Sequence, residues 1–540
     1  MEQSSGFAFP LKTPHFEERP ISPADEGRLG AGAWAGFAMM CVGMFMAILD
    51  VQVVATSLPT IQDALDIPRD QMSWIQTAYL IAEVIAIPLT GFLTRLLTMR
   101  WLFVVTITIF TAASIGCAAS ESFHALLAWR VLQGFSGGTL IPGVFSAVFL
   151  LFPMRRQGIA TTIAGVLAVL APTVGPIVGG WITATYSWHW LFLINVVPGI
   201  LSAIGATVFL PKEKPEPGEL RALDIVSMGC MALALAALEI ALKEAPEQGW
   251  LSPLVCGLLG ISVLSGAAFV QRSLGRSKPF VDLRTLADPT FAIGCFLSFV
   301  LGIGLFGSTY MMPVFLAYVR DHDALEIGKI MLVTGIAQLL TAPVAVALER
   351  RVDARLLTAA GFALFAVGLG LSAFQTRETD FAGMLWPQII RGVAIMFCLL
   401  PPTRLALGQL VPADVPDASG LFNLMRNLGG AIGIALIDSV IYGRAPVHAQ
   451  AMIDLLKRGD IDTAKLVGIP LAMFVNRPKG PLDPDTQGIL DSMVKHASFV
   501  QAMNDAWLLV AVLTCAAIFC VPFARVQKNM APKDLRDGSV

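Results

Sequence analysis

The chain has 540 residues, of which 55% are hydrophobic and only 14% are charged, and its mean hydropathy is +0.70. These values exclude an ordinary water-soluble globular protein, in which about a quarter of the residues are charged. The formal net charge of -2 is nearly balanced and gives no indication of a nucleic-acid partner.

The apolar residues recur in blocks of about 18 to 28, each long enough to cross roughly 30 Å of hydrocarbon as a helix. The blocks lack the alternation that is typical of a membrane barrel, so the sequence predicts an all-α polytopic membrane protein. We count fourteen blocks, at about 31–57, 71–94, 101–119, 124–150, 158–184, 189–210, 222–242, 250–271, 289–318, 326–348, 354–375, 381–406, 415–441 and 501–523.

The loops between these blocks predict the orientation. Basic residues collect in alternate loops, which the positive-inside rule places in the cytoplasm together with both termini. An even number of spans requires the same arrangement of the termini. The residues concerned are Arg95, Arg100, Arg155, Arg156, Lys212, Lys214, Arg221, Arg272, Arg276, Lys278, Arg284, Arg350, Arg351, Arg355, Arg525 and Lys528.

The first and fourth blocks each contain a charged residue within the predicted membrane. Asp50 and Arg130 lie at similar depths, roughly 9–12 Å from the same surface, so they could pair. Such a pair could be a static link between two helices, or a carboxylate that binds and releases a proton during transport. Glu83, in the second block, is either a hydrogen-bonded interior residue, a second proton carrier or a group that contacts a cation. Because no histidine lies deep in a span, carboxylates would have to carry any protons.

The fifth block is interrupted by helix-bending and small residues. Proline bends a helix, and glycine lets a neighbouring helix approach closely. We therefore expect this helix to bend and to pack tightly against a partner that moves. The residues are Gly165, Pro172, Gly175, Pro176, Gly179 and Gly180.

The later blocks supply candidates for a central cavity. For Gln133, Tyr310 and Asn423 two interpretations are open: a polar contact in this cavity, or a hydrogen bond that packs helices together. Arg391 and Arg426 either balance interior carboxylates or bind an anionic substrate. For Glu239 and Asp438, each near the end of its block, we expect a position at the membrane surface. All eight cysteines lie in apolar blocks and are interpreted as small apolar residues, not as a disulfide or metal framework. No cofactor is expected.

These features divide the chain into segments. We predict a cytoplasmic segment at 1–30, six helices at 31–210, a linker with two extra spans at 211–288, six more helices at 289–525 and a cytoplasmic tail at 526–540. The segment 443–498 is the one long external loop that we predict, either a partly helical surface cap or a docking site for a periplasmic partner. A weak repeat supports two halves: Gly91, Leu93 and Arg95 parallel 346–350.

Five dispersed motifs resemble those of the fourteen-spanner drug:proton antiporter family of the major facilitator superfamily, the EmrB/QacA type. They are LDVQVVATSLP from Leu49, RVLQG from Arg130, GPIVGG from Gly175, WHWLFLINV from Trp188 and ASGLFNLMRNLGGAIGIAL from Ala418. The resemblance covers about residues 31–525. It implies two six-helix bundles plus two extra helices and proton-coupled export across a bacterial inner membrane.

One motif departs from the family pattern. The loop after the second helix, GFLTRLLTMR, has Arg95 where an aspartate is usual, so the link between the halves on the cytoplasmic side should be weaker or built differently. In the first motif Gln52 stands where threonine is usual.

The resemblance implies alternating-access efflux of amphipathic drugs or toxic compounds from cytoplasm or lipid, with Asp50, Glu83 and Arg130 in proton coupling. A periplasmic adaptor and an outer-membrane channel are further implied partners. One alternative is export of a single endogenous metabolite, such as a siderophore or a lipid-like acid. Another is a non-transporting membrane sensor, which would have little need for a bent helix and buried charges.

Overall fold

The computed structural model describes residues 23–68, 71–212, 224–276, 279–349, 351–408, 410–412, 414–475 and 484–524. These residues form helices and no strand. The α-helices are α1 (Pro23–Ala64), α2 (Trp74–Ala86), α3 (Thr90–Ala118), α4 (Phe123–Leu151), α5 (Met154–Thr185), α6 (Trp190–Leu193), α7 (Val196–Phe209), α8 (Ile225–Gln248), α9 (Pro253–Gly275), α10 (Pro289–Arg320), α11 (Ala324–Glu349), α12 (Ala354–Leu371), α13 (Phe381–Leu407), α14 (Val415–Arg458), α15 (Ile461–Val467), α16 (Leu471–Val475) and α17 (Pro484–Ala516).

Thirteen helical segments among the described residues are long and apolar enough to cross a membrane. The difference from the fourteen predicted spans lies at Trp74–Ala118, where 45 residues run on as one segment. A straight helix of that length would measure about 67 Å, more than twice the hydrocarbon thickness. The chain breaks helical geometry at Thr98, with φ 72° and ψ 157°, so the segment holds two of the predicted spans. The all-α polytopic fold class is confirmed.

Short polar caps define where the helices begin and end. Asp288 precedes α10, its carboxylate accepts hydrogen bonds from the backbone N–H groups of Thr290 and Phe291 at 2.8 and 2.9 Å, and Pro289 occupies the first turn. This satisfies donors that a helix start leaves unpaired. At the other end of α10, Asp321 adopts a left-handed conformation, φ 54°, and closes the helix.

Each group of helices has its own apolar core. One core, built from α1, α3, α4, α5 and α7, includes Phe37, Phe110 and Phe145. A second, built from α10 to α14 and α17, includes Phe365 and Trp507. The division into segments at 210 and 289 stays a prediction. The helices on either side of the linker bury these two sets of large side chains, and a third cluster with Phe92 and Phe422 joins them.

The two extra helices, α8 and α9, are attached beside this pair of cores. Asp224 caps α8 and binds Arg272 and Arg276 of the α9 end, with N–O distances of 3.0 Å to each, so the hairpin is closed at its base. On the apolar side, Met231 of α8 shares a cluster with Val84 of α2 and with residues of α14. The hairpin therefore touches both halves.

The predicted external loop 443–498 is largely helical where it is described. Helix α14 does not end near 441, as the sequence suggested, but continues to Arg458 and ends at Gly459, φ 88°. Helices α15 and α16 and the start of α17 enclose a small apolar core with it: Met452, Leu456, Ala464, Val467, Phe474, Val494 and Ala497. The predictions for most of 1–30, for Arg350 and for the tail 526–540 lie outside the described residues.

Candidate functional site

Asp50 of α1 and Arg130 of α4 form a buried ion pair. Their side chains are 1% and 0% exposed, and Arg130 Nη1 lies 2.5 Å from Asp50 Oδ2. The structure thus brings together the two charged residues that the sequence placed at similar depth.

Three further side chains complete the cluster around Asp50. Asn195 Nδ2 and Gln133 Nε2 donate to Asp50 Oδ1 at 2.7 and 3.0 Å, and Gln133 also donates to Ser114 Oγ at 2.8 Å. Gln133 Oε1 accepts from Arg130 Nη1 at 2.7 Å. Of the two interpretations of Gln133, a cavity contact or a hydrogen bond that packs helices together, the structure shows the second. It lies one helical turn after Arg130 on the same face and is fully buried.

Arg130 is held from the opposite side as well. Its Nε donates to the backbone carbonyl of Ile75 at 3.2 Å, and its guanidinium lies 4.3 Å from the ring centroid of Tyr79. Every donor that reaches Asp50 favours the ionised carboxylate, whereas burial opposes it. Movement of Arg130 away from Asp50 would therefore change the balance between the charged and the protonated form.

A cavity of about 310 Å³ lies between the two groups of helices. Its walls come from α1, α2, α4, α5, α8, α10 and α14, and most of the lining is apolar. Of the predicted site residues, Glu83, Pro172, Asn423 and Arg426 line it. Nine-tenths of Glu83 is buried, and among the described residues nothing donates to or pairs with its carboxylate.

Tyr310 and Arg391, predicted to line this cavity, do not. The Tyr310 hydroxyl donates to Asp438 Oδ1 at 2.7 Å, and it is Asp438 that reaches the cavity. Arg391 is 3% exposed and borders two smaller pockets, one of which is also lined by Thr173 of α5. There Nη2 lies 2.8 Å from Met312 Sδ and the guanidinium 4.9 Å from the Trp507 ring centroid, and no described carboxylate pairs with it.

Extra helix α8 contributes a wall that the sequence did not predict. Glu239, expected at the membrane surface, lines the cavity together with Leu242 and Lys243. The signal was present, because an acidic residue within an apolar helix is a default candidate for a functional site. The sequence does not show how α8 is rotated about its axis, and this rotation decides whether Glu239 faces the cavity or the membrane.

The glycine- and proline-rich helix α5 packs between the two halves. A side chain at Gly175 would overlap Gln52 of α1, and one at Gly165 would approach Leu399 of α13. Further along, Ile177 fills the space left by Gly328 of α11. Pro176 and Gly179 are buried, and Gly180 is half-buried. The close packing expected for α5 is therefore present, and its partners include helices of the other half.

A second contact between the halves lies on the side predicted to be cytoplasmic. Arg95 of α3 forms an ion pair with Asp417 at the start of α14, and Gly91 has no room for a side chain beside Asp417. On the same side, Ser419 Oγ donates to the carbonyl of Pro142 of α4 at 2.9 Å. The link between the halves, predicted to be weaker or built differently, thus has an arginine where the family motif has an aspartate, and this arginine pairs with Asp417.

A polytopic helical fold with a closed buried ion pair and a cavity between two halves defines a membrane transporter. The sequence model of the Major Facilitator Superfamily matches residues 40–434, which is most of the chain. The chain therefore belongs to this family. It is a multi-pass membrane protein.

The chain is 38% identical over 417 residues to the "Colistin resistance protein EmrB" of Acinetobacter baumannii, with 77% of this chain and 81% of that protein covered. It is 26% identical over 497 residues to the "Fatty acid resistance protein FarB" of Neisseria gonorrhoeae, with 92% and 97% covered. The human organic anion transporter MFSD10 (TETRAN) shares the fold, with a TM-score of 0.58 at 14% identity over 91% of this chain and 99% of that one.

Proposed function

We propose that this protein is a proton-coupled exporter of amphipathic drugs or toxic compounds that works by alternating access in a bacterial inner membrane, with both termini in the cytoplasm. The observation that carries the proposal is the buried Asp50–Arg130 pair beside a largely apolar cavity between two halves. Similarity to a colistin resistance protein supports a role in resistance.

In this proposal Asp50 is the proton carrier. With the pair closed, Arg130, Asn195 and Gln133 stabilise the carboxylate. A movement of α4 or α1 that separates Arg130 from Asp50 leaves a carboxylate in an apolar site, where binding a proton is favoured. Closing the pair again expels the proton. Glu83 in the cavity wall links this cycle to the substrate.

The helix α5 acts as the seal and hinge between the halves. Its glycines allow α1 and α11 to approach closely, and its prolines leave backbone carbonyls without their helical partners, which permits bending. The Arg95–Asp417 pair holds the halves together on the cytoplasmic side, so the described conformation is the one closed on that side.

Export of one endogenous lipid-like acid is the second candidate. Two observations favour it: the name of the fatty acid resistance relative and the presence of Arg426 in the cavity wall. A panel of cationic, neutral and anionic amphipathic compounds tests both candidates.

The proposal extends to partners on the periplasmic side. The small helical unit formed by α15, α16 and the ends of α14 and α17 has a separate apolar core, so it is a stable surface to which a periplasmic adaptor could bind. We propose such an adaptor, joined to an outer-membrane channel. The test is affinity capture of cross-linked partners by the full chain and by a chain that lacks this helical unit. Equal recovery of the adaptor by the two chains would contradict the proposed binding surface.

The test of the exporter is transport in proteoliposomes with an imposed pH gradient. We expect the wild type to move compounds against their gradient and Asp50→Asn to lose this movement at least tenfold, while exchange of substrate without a gradient continues. Asp462→Asn is the matched control, because its side chain is 90% exposed and far from the pair in sequence and fold. Gradient-driven transport by Asp50→Asn at the wild-type rate would remove Asp50 from the mechanism.

A further inference from the structure

The extra helices have no role in a transport cycle built from two six-helix halves, yet α8 reaches the cavity. Val84 of α2, Phe422 of α14 and Met231 of α8 belong to one apolar cluster, so α8 sits across the gap between the two halves. At the other end of the hairpin, Trp250 Nε1 donates to Ser439 Oγ of α14 at 2.8 Å. Helix α8 is therefore a wall of the cavity and not a helix that faces lipid alone.

Three carboxylates line the cavity: Asp438, which accepts a hydrogen bond from Tyr310, and the pair Glu83 and Glu239. Glu83 is about nine residues from the start of α2, and Glu239 is about nine residues from the end of α8, so each lies roughly 13 Å along its helix from the side predicted to be external. Both line the cavity. Neither has a hydrogen-bond or ion-pair partner among the described side chains, and Glu83 is only 8% exposed. An acidic group this buried without a partner either holds a proton or requires a compensating positive charge.

The positive groups of the same cavity are already engaged. Lys243 Nζ lies 2.9 Å from Glu244 Oε1 and 4.6 Å from the ring centroid of Trp74. Arg426 Nη2 donates to Asn423 Oδ1 at 3.0 Å. Its guanidinium also lies 5.3 and 5.7 Å from two phenylalanine rings. Both cations of the cavity lining thus have partners other than Glu83 and Glu239.

We infer that Glu239 of the extra helix α8, together with Glu83, binds the positively charged group of an amphipathic cationic substrate. The apolar wall, which includes Val51, Leu80 and Phe306, receives the hydrophobic body. The two glutamates supply the charge that a desolvated ammonium or phosphonium group requires. This inference rests on the proposed export function and names its substrate class. It also assigns the extra helix pair a part in substrate recognition.

The test is equilibrium binding of two probes of the same shape and opposite charge, tetraphenylphosphonium and tetraphenylborate, to the purified full-length chain in detergent. We expect the wild type to prefer the phosphonium. Glu239→Gln should weaken phosphonium binding about tenfold and leave borate binding unchanged or stronger. Glu83→Gln should do the same. The matched control is Glu247→Gln, an exposed residue on the same helix that loses the same charge.

Two results would overturn the inference: a wild-type preference for the borate, or phosphonium binding that Glu239→Gln and Glu247→Gln leave equally unchanged. Binding to the purified chain needs no pH gradient, so it is separate from the transport test. If Asp50→Asn abolishes gradient-driven export while Glu239→Gln leaves phosphonium binding intact, only the substrate class falls. If no compound of the panel moves with the gradient, the export function itself falls.

Discussion

The ion pair between Arg95 and Asp417 should set the balance between the conformation closed on the side predicted to be cytoplasmic and the one open there. The side chains are 27% and 10% exposed, so the pair is neither a surface pair nor a fully buried one. Surface pairs contribute about 0–1 kcal/mol, and breaking a buried pair is destabilising by about 3–5 kcal/mol. An intermediate value of about 2 kcal/mol corresponds to roughly a 30-fold change in the ratio of the two conformations.

A double-mutant cycle measures this contribution. Asp417→Asn removes one charge with little change in shape, which matters because Gly91 leaves no extra room beside Asp417. Arg95→Gln removes the other charge with a shorter polar side chain. The reporter is Ser419→Cys in a chain whose native cysteines are replaced. Ser419 is fully buried between the halves and should react with a maleimide only when they separate on this side.

We expect each single substitution to raise the alkylation rate of Cys introduced at 419 about 30-fold, and the double substitution to raise it no further, because one interaction is lost in all three. Single effects that multiply in the double variant would show that the two charges act independently. An unchanged rate in both singles would show that the pair does not hold the halves together.

Two further predictions concern packing and pH. Gly175→Ala should lower the thermal unfolding temperature and reduce transport, because its new methyl group meets Gln52. Gly143→Ala is the control and should change neither quantity, because no atom lies within 4 Å of its new methyl group. Equal effects of the two substitutions would contradict this prediction. The hydrogen bond from His322 lowers the pKa of Asp380 to about 2, so the stability that Asp380 contributes is present above about pH 3.8 and lost as the pH falls towards 2. Because the carboxyl group is about one-third exposed, we expect it to contribute less than about 1 kcal/mol to the free energy of unfolding. Stability measured against pH should therefore fall less steeply below pH 4 for Asp380→Asn than for the wild type. Identical profiles for the two chains would exclude the contribution.

The membrane helices could be predicted from the sequence because length and hydropathy decide whether a segment spans a bilayer. The pairing of Asp50 with Arg130 could be predicted from depth alone, since a lone charge at that depth is costly. Glu239 could not be placed, because hydropathy does not give the rotation of a helix that is apolar on all sides.

Contacts between distant segments also could not be predicted from the sequence. Arg95 and Asp417 are 322 positions apart, and the family motif carries a charge of opposite sign at Arg95, so the pair became visible only once the helices were packed. Gln133 is a different case. Its position three residues after Arg130 indicates a shared helix face, and this spacing could have placed it in the Asp50 cluster.

The most direct test of proton-coupled export is the proton movement itself. Proteoliposomes that contain a pH-sensitive dye and hold an imposed pH gradient receive a compound that the wild type transports. We expect the compound to discharge the gradient through the wild type and through Asp462→Asn, and to leave it intact with Asp50→Asn. Compound transport by the wild type without any accompanying proton movement would contradict the account.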